Sequence, residues 1–596
     1  MLVFSSFSGA STDRHYLIVS DRLSWKEFLS LPPPIPSLLR QSSLALMSGS
    51  SLSLTGGRAV WVSLGAGRRL SASDVPAPSL ADYLTSWQIP YFVDSFSSEL
   101  QAMGFASRGT ADRPDSARLV IFWAPKERLS RIVAKVLRSV RQGDWLWIVI
   151  ANSPDLEWTR RRTTPFLVYR PPSAPSLLSS ATTRQPGVVS SIDLVPSLLA
   201  YLSGLAPSSL NESLPAVTGS PVRFVPHPDP VSFLTQLDQK STLALSDLPF
   251  LTLAVIVLIV DALLLTVISL FVPQIRFLAH LTILSGMSLP LSLLVSYLFP
   301  HSDPGLNLFQ CFAMAFGIGS LHLVLRYPPL FFAGIVGGLS ALTALFALPA
   351  YSCSPLGYFL TTGWRFYGIT NSGVGIILAG SLLFLYRFPL PKVIGFVICF
   401  GAVFLTGAGF WGANYGGALT LSLTLFLYLL RQPSRSVTVR SVFLSIGITA
   451  LIIQSIFVAE KSLFPHTSGH IRHITDWLTT GQFATVLDFV LQKVQLWKLF
   501  STSLPLNLLI IAFFAMMTIA IPFGLKYFQI REHQPFFTFL FIGSWVGFFT
   551  NDSGVEILGM SLIYLGGYTL LLILENFGGL IRKPWFSKMR EGVRQK

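Results

Sequence analysis

Gly363-Trp364-Arg365-Phe366-Tyr367-Gly368-Ile369-Thr370-Asn371-Ser372-Gly373 interrupts a C-terminal half that otherwise reads as one apolar span after another. An arginine, three aromatics, an asparagine and glycines stand here between two long hydrophobic segments. A charge beside hydrocarbon costs several kcal/mol unless it is partnered or held at the interface. Glycine lets the backbone turn sharply or approach a ligand closely. An interfacial aromatic belt with a glycine-rich turn accounts for the stretch, and so does a binding site. The surrounding spans decide which reading to pursue.

Apolar segments run at 249–272, 277–299, 305–325, 329–350, 371–387, 391–410, 413–430, 439–459, 500–523, 535–550 and 554–576. That predicts an all-α polytopic membrane domain of about eleven helices over 248–596. The short connections alternate in charge. Arg276, Arg326, Arg387 with Lys392, then Arg431, Arg435 and Arg440, then Lys526 with Arg531, and a basic tail over 581–596 share one side. The positive-inside rule makes that side cytoplasmic. The other side carries 301–306, 351–372, 411–412 and 551–554, where Arg365 is the only basic residue besides histidine.

Residues 460–499 form a longer external connection that carries Lys461, Lys493 and Lys498. Phe483, Leu487, Val490, Val494 and Trp497 recur at helical spacing there, which predicts a helix lying on the outer membrane surface. His466, His470 and His473 share a face in the same loop, but only Asp476 accompanies them, and no metal site is expected. Among the buried spans, Asp261 is the one acid deep in a segment, with Glu575 near the end of the last.

The outer polar clusters supply the candidate ligand-binding residues Arg365, Tyr367, Asn371, Asn414, His470, Asn551 and Asp552. Arg365 suits a phosphate, and the three asparagines suit sugar or headgroup oxygens. The clusters are expected to converge on one pocket, with Arg365 paired to Asp552 and the glycines at 416–417 and 554 permitting close helix approach.

Composition agrees with a membrane chain. Hydrophobic residues make up 51% and charged residues 12% of the 596, about half the charged share of a soluble protein. The net charge of +15 lies largely in the short connections and the tail, so it reports orientation and not nucleic-acid binding. Cys311, Cys353 and Cys399 all fall in the apolar half and form no disulfide or metal pattern.

The first 204 residues read differently. Tyr16–Ser20, Leu119–Trp123, Trp145–Ala151 and Phe166–Tyr169 are short apolar runs suited to a mostly parallel sheet. Leu129, Ile132, Val133, Val136, Leu137 and Val140 mark an amphipathic helix between two of them. An α/β domain follows from the alternation. The Pro- and Ser-rich residues 205–247 read as a linker into the membrane.

Strand residues Leu17–Ser20 end in Asp21, followed by Leu23-Ser24-Trp25. Later come Ser63-Leu64-Gly65-Ala66-Gly67 and Thr182-Thr183-Arg184-Gln185-Pro186-Gly187, leading to Asp193-Leu194-Val195-Pro196-Ser197-Leu198-Leu199. This half resembles the alkaline-phosphatase superfamily, in particular membrane-anchored bacterial proteins of unknown substrate. The polar motifs around Arg365, Asn414, His470 and Asn551 are similar to those in the membrane halves of the same proteins. The resemblance implies an ancestral two-metal phosphoryl-transfer site, with Asp21 and Asp193 as remnant candidates and a nucleophile somewhere near Ser50, Ser51 or Thr55. Only His15 and His227 occur in the first 245 residues, and Ala151-Asn152-Ser153 stands where an Asp-His pair is expected. Two metals need carboxylates and imidazoles. The domain therefore reads as a degenerate pseudoenzyme without cofactor, and Asp193 equally as a helix cap.

These residues predict a cell-envelope protein of the cytoplasmic membrane with its N-terminal domain outside and its C-terminus inside. Met1 to Arg14 has no apolar core, so an upstream signal or anchor helix is expected for that orientation. The expected partner is a membrane lipid, in particular a phosphorylated lipid or glycan headgroup. The expected role is binding by a relative of phospho-headgroup transferases. A transporter or flippase for such a molecule and an assembly scaffold are the alternatives.

Overall fold

A computed structural model describes residues 13–49, 57–70, 74, 78–95, 97–105, 109–151, 163–172, 174–205, 214, 217–301, 303–351, 353–357, 366–431, 437–463, 479, 481, 483–502, 504–527 and 530–577. The chain divides into two compact units. Met1–Leu245 with Tyr358–Tyr367 make one, and Ser246–Gly357 with Gly368–Lys596 make the other.

The first unit is α/β. Its strands are β1 (His15–Ser20), β2 (Ser43–Ser48), β3 (Tyr91–Val93), β4 (Leu119–Trp123), β5 (Trp145–Ile150), β6 (Thr164–Tyr169), β7 (Ser176–Ser180), β8 (Val188–Ser190) and β9 (Val222–Pro226). They form one sheet in the order β3-β4-β1-β5-β6-β2-β7-β9, with β8 beside β2. β3, β4, β1 and β5 run parallel, whereas β6 is antiparallel to both β5 and β2. Every residue of β1 and β5 is buried, because helices cover both faces, and this is why they read as unbroken apolar runs.

The alternating side chains feed two cores. Leu17, Val19 and Trp147 lie on one face with helices α1 (Gly57–Ala66) and α3 (Leu194–Ser203). Tyr16, Ile18, Leu146 and Ile148 lie on the other with α2 (Leu129–Leu137). The residues read as a linker are structured where they are described. β9 pairs with β7, and α4 (Pro230–Phe271) starts well before the expected membrane boundary.

The second unit is helical. After α4 come α5 (Arg276–Ser296), α6 (Pro304–Leu325), α7 (Pro329–Phe346), α8 (Asn371–Arg387), α9 (Lys392–Gly407), α10 (Tyr415–Leu430) and α11 (Val439–Leu463). Then follow α12 (Phe483–Thr502), α13 (Pro505–Tyr527), α14 (Gln534–Thr550) and α15 (Val555–Phe577).

Among the described residues seven helices, and not the expected eleven, are long and apolar enough to cross a membrane: α4, α5, α6, α7, α11, α13 and α15. The other four expected spans are helices of 16 or 17 residues, α8, α9, α10 and α14. At 1.5 Å per residue these reach about 25 Å, short of a hydrocarbon core of about 30 Å. Local polar chemistry shortens two of them. The Thr370 side chain caps α8 by accepting from Gly373 N–H, and Asn414 caps α10 by accepting from Gly417 N–H.

The acids differ too. Asp261 lies exposed on α4 and Glu575 exposed on α15, whereas Asp247 and Glu460 are buried.

Candidate functional site

The ends of the short helices meet in one polar cluster within the second unit. Asn414 Nδ2 donates to Ile369 O (3.0 Å) and to Asn371 Oδ1 (2.9 Å). Asn371 Nδ2 donates to Ser553 Oγ (2.7 Å) and Asp552 Oδ1 (3.2 Å). Asn551 Nδ2 donates to Gly547 O at 2.9 Å. Three of the sequence-predicted motifs, those at 371, 414 and 551–552, therefore converge.

Close backbone approach makes this possible. A Cβ on Gly416 would lie 2.4 Å from Asn551 Oδ1. A Cβ on Gly368, whose φ is +85°, would lie 2.1 Å from Gly412 O, and beside it Ile369 N–H donates to that carbonyl. Only glycine fits such positions.

Sequence reasoning missed four participants. Glu556 Oε2 accepts from Ser372 N (3.1 Å) and Ser372 Oγ (2.7 Å) at the start of α8, where a carboxylate also meets the positive helix terminus. An acid four residues after Asp552 was the available signal. Lys493 on α12 pairs with Asp552 at 2.8 Å. Trp497, one turn further along α12, donates from Nε1 to Phe548 O, and its apolar partners Phe483, Leu487, Val490 and Val494 are exposed. Glu460, at the end of α11, accepts at Oε1 from Gly409 N and Tyr415 OH, both at 2.5 Å. Its Oε2 is buried without a hydrogen-bond partner among the described residues.

The exposures separate frame from surface. Asn371, Asn414 and Asn551 are 4%, 2% and 7% exposed, so their amides chiefly hold one another and the loops. The side chains of Asp552 and Lys493 are 24% and 38% exposed, and with the half-buried Glu556 they are charged groups of the cluster that a solute can reach.

The remaining predicted residues fall elsewhere. Arg365 and His470, like Ser50, Ser51 and Thr55, lie outside the described residues, so the expected Arg365–Asp552 pair does too. Tyr367 belongs to the first unit. The Arg184 guanidinium sits 4.0 Å over its ring, and Gln185 Nε2 donates to the neighbouring Phe366 carbonyl. Phe366 is buried against Val188.

Asp193 is a structural knot. Its carboxylate accepts from Ser180 Oγ (2.7 Å), Thr182 Oγ1 (2.5 Å), Ser190 N (2.9 Å) and Ser220 N (2.9 Å). Burial raises its pKa, opposed by these hydrogen bonds. Asp21 follows β1 and forms a 3.6 Å ion pair with Arg22. Partial burial raises its pKa, against the pull of Arg22 and with a further push from Glu99 and Glu127. Among the described residues no three His, Cys, Asp or Glu side chains group as metal ligands.

No family model, curated protein or solved structure matches the chain.

Proposed function

We propose that this chain is a multi-pass membrane protein whose asparagine–carboxylate cluster binds the polar headgroup of a lipid or lipid-linked glycan. The observation that carries the reading is the Lys493–Asp552 pair, presented on a buried amide frame. Side-chain amides and carboxylates are suited to hydroxyl groups of a sugar. The lysine supplies a partner for a phosphate, and Arg365 is proposed as a second. A bound anion would compete with Asp552 for Lys493, which gives the ligand a route in and out.

The charge alternation of the connections supports an external position, at the cytoplasmic membrane, for this cluster, and the same orientation is proposed for the first unit. The first unit is read as a degenerate alkaline-phosphatase-like domain, with Asp21 after a central parallel strand and Asp193 at a helix start as its remnants. A reporter fused after Lys596 is expected to be active only in the cytoplasm.

Native mass spectrometry of the full chain released from membranes tests the binding. Co-purifying glycolipid or phospholipid is expected on the wild type and at least about tenfold less on the Asp552→Asn/Lys493→Gln double variant. Equal retention by both would remove the cluster as the site.

Transport of such a molecule is a second reading. It is favoured by Asp247 and Glu460, each buried with one carboxylate oxygen lacking a hydrogen-bond partner, because buried acids in apolar helices mark ion and proton pathways. Transbilayer movement of a fluorescent-headgroup lipid in proteoliposomes, abolished by Glu460→Gln, is its test.

A further inference from the structure

A second polar site lies at the other end of the helices, where α5 begins and α6 ends. Arg276 opens α5, and His280 follows one turn later on the same face. The His280 ring meets the His322 ring of α6 edge to face, with centroids 6.1 Å apart. His322 is buried, and its Nδ1 lies 2.6 Å from Gly319 O. Since a carbonyl only accepts, Nδ1 carries the proton. This bond fixes the ring that packs against His280.

Two nitrogens in this group are buried and lack hydrogen-bond partners among the described residues: Arg276 Nε and His280 Nε2. The N-cap position of α5 is Ile275, whose side chain offers no acceptor to the first turn. The α5 N-terminus, its dipole and the guanidinium therefore bring positive charge to one place. Among the described residues the charged groups that act on His280, beyond its burial, are the basic His322 and Arg276. A buried N–H without an acceptor is costly, and the positive charge gathered here makes an anionic oxygen the best-matched partner.

The walls of this end say where such an anion would come from. Phe277, Leu323, Val324 and Leu325 are exposed apolar side chains beside the basic group. In a helix that spans a bilayer, these face acyl chains. Basic pockets between spanning helices, near the membrane surface, are suited to anionic phospholipid headgroups.

We infer that Arg276 and His280, with His322 as the positioning residue, bind the phosphate of a net-anionic phospholipid whose chains lie on the Phe277–Val324 surface. This site is separate from the asparagine cluster. It recognises a phosphodiester without a covalently attached cation, since it has no described acid to receive an ammonium group.

The test uses the full chain, stripped of lipid in detergent and offered equimolar phosphatidylglycerol and phosphatidylcholine, with retained lipid counted by native mass spectrometry. The wild type is expected to prefer phosphatidylglycerol by at least about fivefold for each basic donor. Arg276→Gln and His280→Leu are each expected to reduce that preference, and together to abolish it. Gly447→Ala on α11, where nothing lies within 4 Å, is expected to leave it intact. The competition in the wild type stands even if a variant does not survive purification. Equal retention of the two lipids by the wild type would overturn the inference, as would a preference that survives both substitutions. Glycerol phosphate displacing the lipid at equal concentration would keep the anion chemistry and overturn the lipid as its source.

Discussion

Lys493 Nζ lies 2.8 Å from Asp552 Oδ2, and this contact ties α12 to the link between α14 and α15. It also gives a structural role to a lysine that the expected topology puts on the sparsely charged side. Both side chains are partly exposed, so water and salt screen the pair. A double-mutant cycle with Lys493→Met and Asp552→Asn is expected to give a coupling of about 1 kcal/mol in the thermal stability of the detergent-solubilised chain. Additive losses would show that the contact contributes nothing.

Gly416 provides a sharper test of the close approach. An alanine Cβ would sit 2.4 Å from Asn551 Oδ1 and 2.7 Å from the backbone oxygen of Thr550. Backbone cannot swing aside as a flexible side chain can. Gly416→Ala is expected to cost about 2 kcal/mol. Gly447→Ala in α11, where nothing lies within 4 Å, is expected to be neutral or to gain up to about 1 kcal/mol. Equal effects at the two sites would contradict the packing described.

Much of this arrangement was legible because each part is local. The apolar runs gave the helices to within a few residues at most ends, and the parallel strands β1, β4 and β5 announced themselves as buried runs. The motifs at Asn371, Asn414 and Asn551 do meet. Their partners were harder to read. Glu556 and Ser372 stand 184 residues apart, and Lys493 and Asp552 stand 59 apart. Such pairs arise from helix packing, which leaves no periodicity in either segment. Span length was misjudged for a related reason. Hydropathy continues through Thr406 to Tyr415, but the backbone there turns to make Asn414 a cap. Tyr367 sits five residues before Ser372 yet packs on Arg184, and no local signal separates the two.

His15 makes stability depend on pH. It is fully buried at the start of β1, stacked on Trp145 with ring centroids 5.6 Å apart, and its Nδ1 accepts from Trp147 Nε1 at 3.2 Å. Burial, with Arg118 and Arg170 nearby, lowers its pKa from 6.5 to about 3. The folded domain thus keeps it neutral while the unfolded chain takes up a proton below about pH 6.5. Stability is full above that pH and is lost as pH falls towards 3, by about 1.4 kcal/mol per unit. Hydrogen exchange of the full chain, corrected for intrinsic rates, should show β1 and β5 protection falling about tenfold between pH 6 and pH 5. In His15→Phe this dependence should disappear, and its persistence would assign the effect to another group.

Asn371 is the joint of the cluster, and replacing it by aspartate separates shape from charge. Its Oδ1 accepts from Asn414 while its Nδ2 donates to Ser553 and to Asp552 Oδ1 at 3.2 Å. Asn371→Asp keeps the size and the Asn414 bond. It places a second carboxylate oxygen at hydrogen-bond distance from Asp552, where two negative charges in a mostly buried setting repel. One of the two carboxyls must then hold a proton, with its pKa raised above the value of about 4 in the unfolded chain. A group of that kind costs stability above its unfolded pKa and costs nothing when both states are protonated. The variant is therefore expected to be about 2–3 kcal/mol less stable than wild type at pH 7.5 and to recover about a third to a half of that deficit by pH 5. Adding Asp552→Asn to Asn371→Asp should remove the pH dependence, since an amide then faces the new carboxylate. Thermal melts of the three variants across this range decide it. A deficit that stays constant from pH 7.5 to pH 5 would mean that the two side chains do not face each other.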